Sequence, residues 1–421
     1  MFRTKISEPS RPVLLSSAVI LIVAATLFYA ARNGSSVVQA RSRVGGDSIP
    51  QAASAAAARS TNTVATTVTD ANVDFNGDGK TDYVVARGTS SPLAEATAPT
   101  MVSLRPFDPE VRRQPGQTRH RPTANENLFG PPIFWYSDIN GTNQQGVGQL
   151  GDSATDFIVV EDFDGDGKDD PTVWTEAPGG QANFKIFQSS TNTVRLEYFG
   201  QTNDDPAVIG DYDGDGKADP AVYRCPQQGE PAGQCYFFYR GSLNNPSGNV
   251  TYVPWGYGND GDFFPYVGDF DGDGKNDFCV QASVPGAPSQ GVFYLAKSGG
   301  GAEYIGWGLS TDFIIPGDYD GDGKTDFCVR RTSSGVHTYY LLTRTGATSQ
   351  VQWGITGDAS APGDYDGDGK TDIATWRGSQ TPGDSRYWIL NSSNGSITQF
   401  TWGQCTPGGA CDFPVAGWAV H

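Results

Sequence analysis

Residues 318–326 read Asp-Tyr-Asp-Gly-Asp-Gly-Lys-Thr-Asp. The same nine-residue pattern, Asp-aromatic-Asp/Asn-Gly-Asp-Gly-Lys-x-Asp, opens at Asp74, Asp162, Asp211, Asp269, Asp318 and Asp364. Six recurrences in one chain mark a repeat protein, in which loop and architecture are read together. Each copy places oxygen-bearing side chains at positions 1, 3, 5 and 9. That is the donor type a hard divalent cation such as Ca2+ takes. Glycines at positions 4 and 6 permit the positive φ of a tight curl.

The candidate ligands are Asp74, Asn76, Asp78, Lys80 and Asp82 in the first loop, and Asp162, Asp164, Asp166, Lys168 and Asp170 in the second. The third has Asp211, Asp213, Asp215, Lys217 and Asp219; the fourth has Asp269, Asp271, Asp273, Lys275 and Asp277. Asp318, Asp320, Asp322, Lys324 and Asp326 form the fifth, and Asp364, Asp366, Asp368, Lys370 and Asp372 the sixth. Each lysine is a candidate through its backbone carbonyl, its side chain being expected to point to solvent. The ninth residue is expected to close the site. Up to six Ca2+ ions are anticipated, the first loop being the weakest because Asn76 is neutral. Four carboxylates crowded on nine residues repel one another unless a cation lies among them. An EF-hand is excluded: its twelfth position is Glu, and here it is Val85, Val173, Val222, Val280, Val329 or Thr375.

The loops account for 23 of the 47 acidic residues and so for much of the formal charge of −18. Six divalent cations would bring it to about −6, an ordinary surface charge. Acidity of this origin speaks for ion binding, and it makes nucleic acid an improbable partner.

Arg3, Lys5 and Arg11 precede an apolar run from Val13 to Ala31, and Val38 and Ala40 suit the −3 and −1 positions of a signal-peptidase site. Residues 1–40 are therefore expected to be a signal peptide or an N-terminal membrane anchor. The run 13–31 is long enough to span a bilayer if it is not cleaved. Residues 41–70, rich in Ala, Ser and Thr, are expected to be a flexible linker. Cysteine usage fits export, with Cys225 and Cys235, and Cys405 and Cys411, spaced for local disulfides. Cys279 and Cys328 share one small buried place in successive repeats and read as core.

Loop starts from the second copy onward are 49, 58, 49 and 46 residues apart. Four short strands fit each interval. The first precedes the loop (Pro206 to Gly210, Phe264 to Gly268, Phe313 to Gly317), and the second follows it (Tyr83 to Arg87, Phe327 to Arg330). The third is aromatic and aliphatic. The fourth ends in an aromatic-Gly pair: Phe199-Gly200, Trp255-Gly256, Trp307-Gly308, Trp353-Gly354, Trp402-Gly403. Helices should be rare. The expected fold is all-β: a β-propeller of six four-stranded blades over residues 71–421, with seven blades the alternative. The Trp-Gly pairs are expected to pack between blades. Residues 88–130 read as a basic insertion in the first blade. Asp412 to Gly417 repeats the run before other loops, as at Asp312 to Gly317, and is expected to close the ring beside the first blade.

The loop Asp-Tyr-Asp-Gly-Asp-Gly-Lys-Thr-Asp, set between Trp-Gly and Asp-Phe-Cys-Val-x-Arg, resembles the FG-GAP/VCBS repeat family. That family includes the integrin α propeller and many exported bacterial proteins. The resemblance spans about residues 70–421. It implies a calcium-stabilised β-propeller with an ion in the loop joining the first two strands of each blade. Integrin propellers have seven blades and fewer calcium loops, so neither blade number nor partner transfers.

The function expected is that of an exported, non-catalytic binding or adhesion module, monomeric, meeting a protein or glycan ligand at the cell surface. Localisation is expected to be secreted or extracytoplasmic, with membrane contact only through residues 13–31. A glycan-binding lectin and a propeller-scaffold polysaccharide lyase or hydrolase are the alternatives. Catalysis ranks lower because the three histidines, His120, His337 and His421, are scattered and no nucleophile motif accompanies them.

Overall fold

A computed structural model describes residues 73–88, 132–153, 155–176, 180–227, 229–259, 264–284, 287–381, 383–405 and 411–417. All lie within one compact unit, residues 65–421. The expected leader and linker, the basic insertion beyond Gly88, and His120 and His421 fall outside the described residues.

The architecture is all-β: six antiparallel sheets arranged as the blades of a propeller. Blade I holds Tyr83–Gly88, Pro132–Asp138 and Gln145–Asp152; its innermost strand is Phe413–Pro414, from the far end of the chain. Blade II is Asp156–Glu161, Asp170–Thr175, Gln181–Gln188 and Thr193–Gln201, and blade III is Ala221–Arg224, Gly233–Tyr239 and Thr251–Gly258. Blade IV is Phe264–Gly268, Asp277–Val284, Ala287–Ala296 and Ala302–Leu309. Phe313–Ile314, Phe327–Ser333, Val336–Leu342 and Thr348–Ile355 form blade V, and Ala359–Ser360, Ile373–Arg377, Arg386–Leu390 and Ile397–Thr401 form blade VI. Among the described residues the only helical turns are 3-10 turns at Ile139–Gly141 and Val415–Gly417.

The expected inner strand Phe264–Gly268 of blade IV forms as read, but those of blades III and V are shorter than the sequence suggests. Blade III has three strands, not four: the expected strand Pro206 to Gly210 is reduced to the bridges Asp205–Tyr223 and Gly210–Asp219. Proline lacks the N–H a ladder needs. The Ala207 amide instead donates to the carboxylate of Asp205, two residues back, in a tight turn. Pro316 and Pro362 stand in the stretches that cut the inner strands of blades V and VI to two residues each; the amides of Ile315 and Ala361 still donate to the carbonyls of Cys328 and Ala374, and the bridges Gly317–Asp326 and Gly363–Asp372 follow.

Blades pack face to face through aromatic side chains. The second residue of a loop stacks on the residue following the next loop, as in Tyr212 on Phe278 (centroids 5.0 Å apart), Phe270 on Phe327 (5.1 Å) and Tyr365 on Tyr83 (5.3 Å). Such pairs stabilise beyond the area they bury. The Trp-Gly tryptophans lie between blades as expected. Indole N–H groups of Trp255, Trp307, Trp353 and Trp402 donate to the carbonyls of Tyr294, Tyr340, Trp388 and Tyr136, each in the next blade round. The last of these runs from blade VI to blade I. There Phe413 and Pro414 also pair with Ala86 and Val85, so the terminal segment closes the ring as anticipated. Both local disulfides, Cys225–Cys235 and Cys405–Cys411, are present, and Cys279 and Cys328 are free and buried in the core.

Candidate metal centres

All six loops take one conformation, and the reason is local. The carboxylate of the first aspartate turns inward and accepts amides from positions 4 and 6. In the fifth loop Gly321 donates to Asp318 Oδ1 (2.7 Å) and Gly323 to Oδ2 (2.8 Å). The same two bonds recur from Gly165 and Gly167 to Asp162, from Gly214 and Gly216 to Asp211, and from Gly272 and Gly274 to Asp269. Gly321 and Gly323 have φ of 78° and 76°, which only glycine adopts without strain. The fifth residue accepts the amide of the seventh, as Asp322 does from Lys324 (3.0 Å).

The ninth aspartate acts as a clamp. One of its oxygens accepts the amide of the loop's second residue. The other accepts an amide from the hairpin between the third and fourth strands of the same blade. Asp170, for example, takes Phe163 (3.1 Å) and Ser189 (2.7 Å), and Asp326 takes Tyr319 (3.0 Å) and Arg344 (2.7 Å). Asp82, Asp170, Asp219, Asp277, Asp326 and Asp372 are all fully buried. Burial removes water from the ionised form and raises their pKa values: to about 7 for Asp82, Asp219 and Asp326, and to about 6 for Asp170, Asp277 and Asp372. Amide hydrogen bonds oppose the rise, and the neighbouring loop carboxylates add to it.

The third residue is the one with unused capacity. Oδ1 of Asp164, Asp213, Asp271, Asp320 and Asp366 is buried and lacks a hydrogen-bond partner in every one of loops two to six. A buried carboxylate oxygen with nothing to accept is costly. Its recurrence at the same atom five times indicates a common missing neighbour. Around it, one oxygen from each of three acids lies within 4.8 Å of the others: Asp162, Asp164 and Asp170; Asp211, Asp213 and Asp219; Asp269, Asp271 and Asp273; Asp318, Asp320 and Asp326; Asp364, Asp366 and Asp372. The donor set and the orphaned oxygen fit a hard divalent cation.

The first loop differs. Asn76 turns its amide onto its own loop, accepting from the Asp78 amide (2.8 Å) and donating to Asp78 Oδ2 (3.1 Å). Asn140 adds a second amide to the same Asp78 oxygen. Oxygens that converge in the other loops are spent here on amide groups.

The lysines correct an expectation. Their side chains are half-buried and lie along the preceding loop instead of pointing to solvent. A Cβ at Gly165 would come within 2.8 Å of Lys217 Cε, and one at Gly321 within 2.9 Å of Lys370 Cε. The Lys80 ammonium donates to the carbonyl of Asp366 (3.0 Å), and Lys275 to that of Asp213 (2.9 Å). A lysine stem buries its methylenes along such backbone while its charge seeks carbonyl oxygens. Position 4 therefore needs glycine twice over, for its φ and for the lysine above it.

Two further sets of residues escaped the sequence reading. Hydroxyls at the hairpin joining the third and fourth strands hold the loop from its outer side: Ser189 to Asp166 (2.9 Å), Ser190 to Asp164 (2.7 Å), Ser298 to Asp273 (3.0 Å), Ser392 to Asp368 (2.9 Å) and Ser393 to Asp366 (2.6 Å). The Ser that recurs after the third strand of blades II, III, IV and VI was the available signal. At the opposite end of the blades, an aspartate before the first strand grips an arginine five residues after the loop. Arg224–Asp204, Arg331–Asp312, Arg377–Asp358 and Arg87–Asp412 are bidentate pairs at 2.6–2.7 Å.

Residues 318–375, from the start of the fifth loop into the strand after the sixth, match the family model of the FG-GAP-like repeat. No curated protein matches the chain. Fold and match together define a six-bladed β-propeller that carries FG-GAP-like repeat sequence.

Proposed function

We propose that the chain is an exported, calcium-stabilised, non-catalytic binding module. The observation that carries this reading is the buried, partnerless Oδ1 at the third position of five loops. Calcium supplies a hard cation to which such oxygens bind when it is present. Asp162, Asp211, Asp269, Asp318 and Asp364, with the third, fifth and ninth residues of their loops, would hold it. The first loop would hold it more weakly because Asn76 and Asn140 compete for its oxygens. Binding to the folded ring and not to the unfolded chain stabilises the ring by mass action. Millimolar calcium outside the cell suits weak sites of this kind. Two disulfides and the basic-apolar N-terminal run support export.

A protein ligand at the cell surface is favoured over a glycan. The tryptophans that would serve as sugar platforms are committed to contacts between blades. Of the histidines, His337 is buried against Thr332. Native mass spectrometry of the purified protein tests the cation reading: five or more bound Ca2+ are expected, removed by chelator together with a lower Tm. A compact, protease-resistant protein without calcium would overturn it. Pull-down of surface components in calcium and in chelator tests the binding role.

A further inference from the structure

The outermost strand of blade II, Thr193–Gln201, is a free edge: among the described residues no strand pairs with its outer side. Every blade ends in such an edge, but this one differs from the rest. It is nine residues long, against eight or five in the others. Side chains alternate between the two faces of a strand. Here Val194, Leu196 and Tyr198 share one face and are 56%, 47% and 56% exposed. The matching positions of blade V are Thr348, Gln350 and Gln352, all polar. Blade III has Pro254 within the corresponding strand, and a proline blunts an edge because it offers no N–H. A long, unpaired, apolar edge is a template for pairing with another strand.

The opposite face says which strand. It carries Arg195 and Glu197. Glu197 is paired with Arg240 of the next hairpin. Arg195 meets no acid among the described residues, and its Nε is buried without a hydrogen-bond partner. Consider a second copy of this strand lying antiparallel beside the first, with the two-fold axis at Leu196. Arg195 of each copy then faces Glu197 of the other, Val194 faces Tyr198, and Leu196 faces its own counterpart. Directly opposed residues lie on one face with Cβ atoms about 4.5–5.5 Å apart, so the charges are within reach. Centring the pair one residue to either side would oppose Arg195 to Arg195 or Glu197 to Glu197, and like charges directly opposed are unfavourable. Glu197 has room for a second cation: in blade IV the carboxylate of Glu303, also on an outermost strand, holds both Lys297 and Arg344.

We propose that the protein forms a two-fold dimer in which the Thr193–Gln201 strands of two copies pair edge to edge about Leu196. The surface is self-complementary, as a two-fold interface requires. The pairing involves none of the cation loops and stands independently of them; the monomer expected from the sequence gives way to a dimer. Sedimentation velocity of the full-length protein in calcium, over a range of concentrations, is expected to reach twice the mass of one chain. Arg195→Glu and Glu197→Lys each set like charges opposite one another at two equivalent places, and each is expected to weaken association by about tenfold or more. Mixed in equal amounts, these two variants should associate with each other at near the wild-type affinity, because each supplies the charge the other lacks. Leu196 is exposed, so Leu196→Lys is expected to fold and to abolish the dimer; it decides the matter should Glu197→Lys, which also loses Arg240, fail to fold. The apolar N-terminal run is the same in every variant, so a dimer that Leu196→Lys leaves intact would overturn the proposal. So would a protein that stays monomeric at every concentration; slow hydrogen exchange along 193–199 in that monomer would mean that another segment of the chain covers the edge.

Discussion

The backbone amide of Thr81 donates to the carbonyl of Asp364 at 2.8 Å, bonding the first loop to the last. It is one of six equivalent bonds. Asp169 donates to Asp74, Ala218 to Asp162, Asn276 to Asp211, Thr325 to Asp269 and Thr371 to Asp318, all at 2.7–2.8 Å. The eighth residue of each loop thus reads the first residue of the loop before, and the set closes on itself. No loop can shift without disturbing both neighbours, since each also carries the next loop's lysine on its fourth residue.

That contact can be tested across the seam of the ring. A methyl group at Gly363 would run into the buried Thr81 side chain. Gly363→Ala is expected to destabilise the protein by about 1–3 kcal/mol, the usual cost of overpacking. Thr81→Ala should recover part of that loss in the double variant, because it removes two of the clashing atoms. Urea unfolding in calcium measures the cycle. Strictly additive effects would mean that blades VI and I do not meet there.

Two substitutions in the fifth loop should separate folding from cation binding. Asp318 accepts three loop amides, from Gly321, Asp322 and Gly323. Asp318→Ala should therefore lower Tm with and without calcium. Asp320 Oδ1 accepts none. Asp320→Asn should leave the Tm in chelator nearly unchanged and shrink the calcium-induced rise. Equal losses in chelator would show that the third residue is structural.

Proton and cation compete for the ninth aspartates. Their folded-state pKa values, about 6 to 7, lie above the ordinary carboxylate range because burial disfavours the ionised form. A carboxyl with a raised folded pKa favours the fold at low pH and loses that contribution as pH rises through the folded value. In chelator, Tm should accordingly increase as pH falls from 7.5 to 5. In calcium the dependence should flatten, because the cation replaces the proton, and the calcium-induced rise should be largest above pH 7. A calcium effect of the same size at pH 5 and pH 7.5 would contradict this.

The parts of the structure legible in the sequence are those repeated within one unit. Asp318 to Asp326 announces its own turn, and Trp307-Gly308 announces the end of a fourth strand, because local spacing dictates both. The short inner strand of blade V was also legible in Pro316, which the strand pattern outweighed. Lys370 over Gly321 was not, because a repeat period does not say which neighbour a side chain reaches. Nor was the burial of Arg330: it is a departure from the repeat, and its place over the Phe313 ring and its bond to Ser360 come from packing between elements far apart in sequence.

The Arg87–Asp412 pair should matter more than its internal copies. Phe413–Pro414 adds only two residues to blade I, so the terminal segment is held by a short ladder, the Cys405–Cys411 loop and this pair. The Asp412 side chain is fully buried and receives both Arg87 bonds (2.6 and 2.7 Å) and the Gln404 amide (2.8 Å). Arg331–Asp312 has the same geometry in blade V, but it joins residues only 19 apart in sequence, whereas Arg87 and Asp412 are 325 apart. Removing one partner of a buried pair costs about 3–5 kcal/mol because the other is left uncompensated. Asp312→Asn should show the lower end of that range, Arg331 being more exposed than Arg87. Asp412→Asn should show the upper end and should also raise hydrogen exchange along Tyr83–Gly88, whose inner edge is then freed. Equal losses in the two variants, with exchange at Tyr83–Gly88 unchanged, would mean that the pair does not lock the ring.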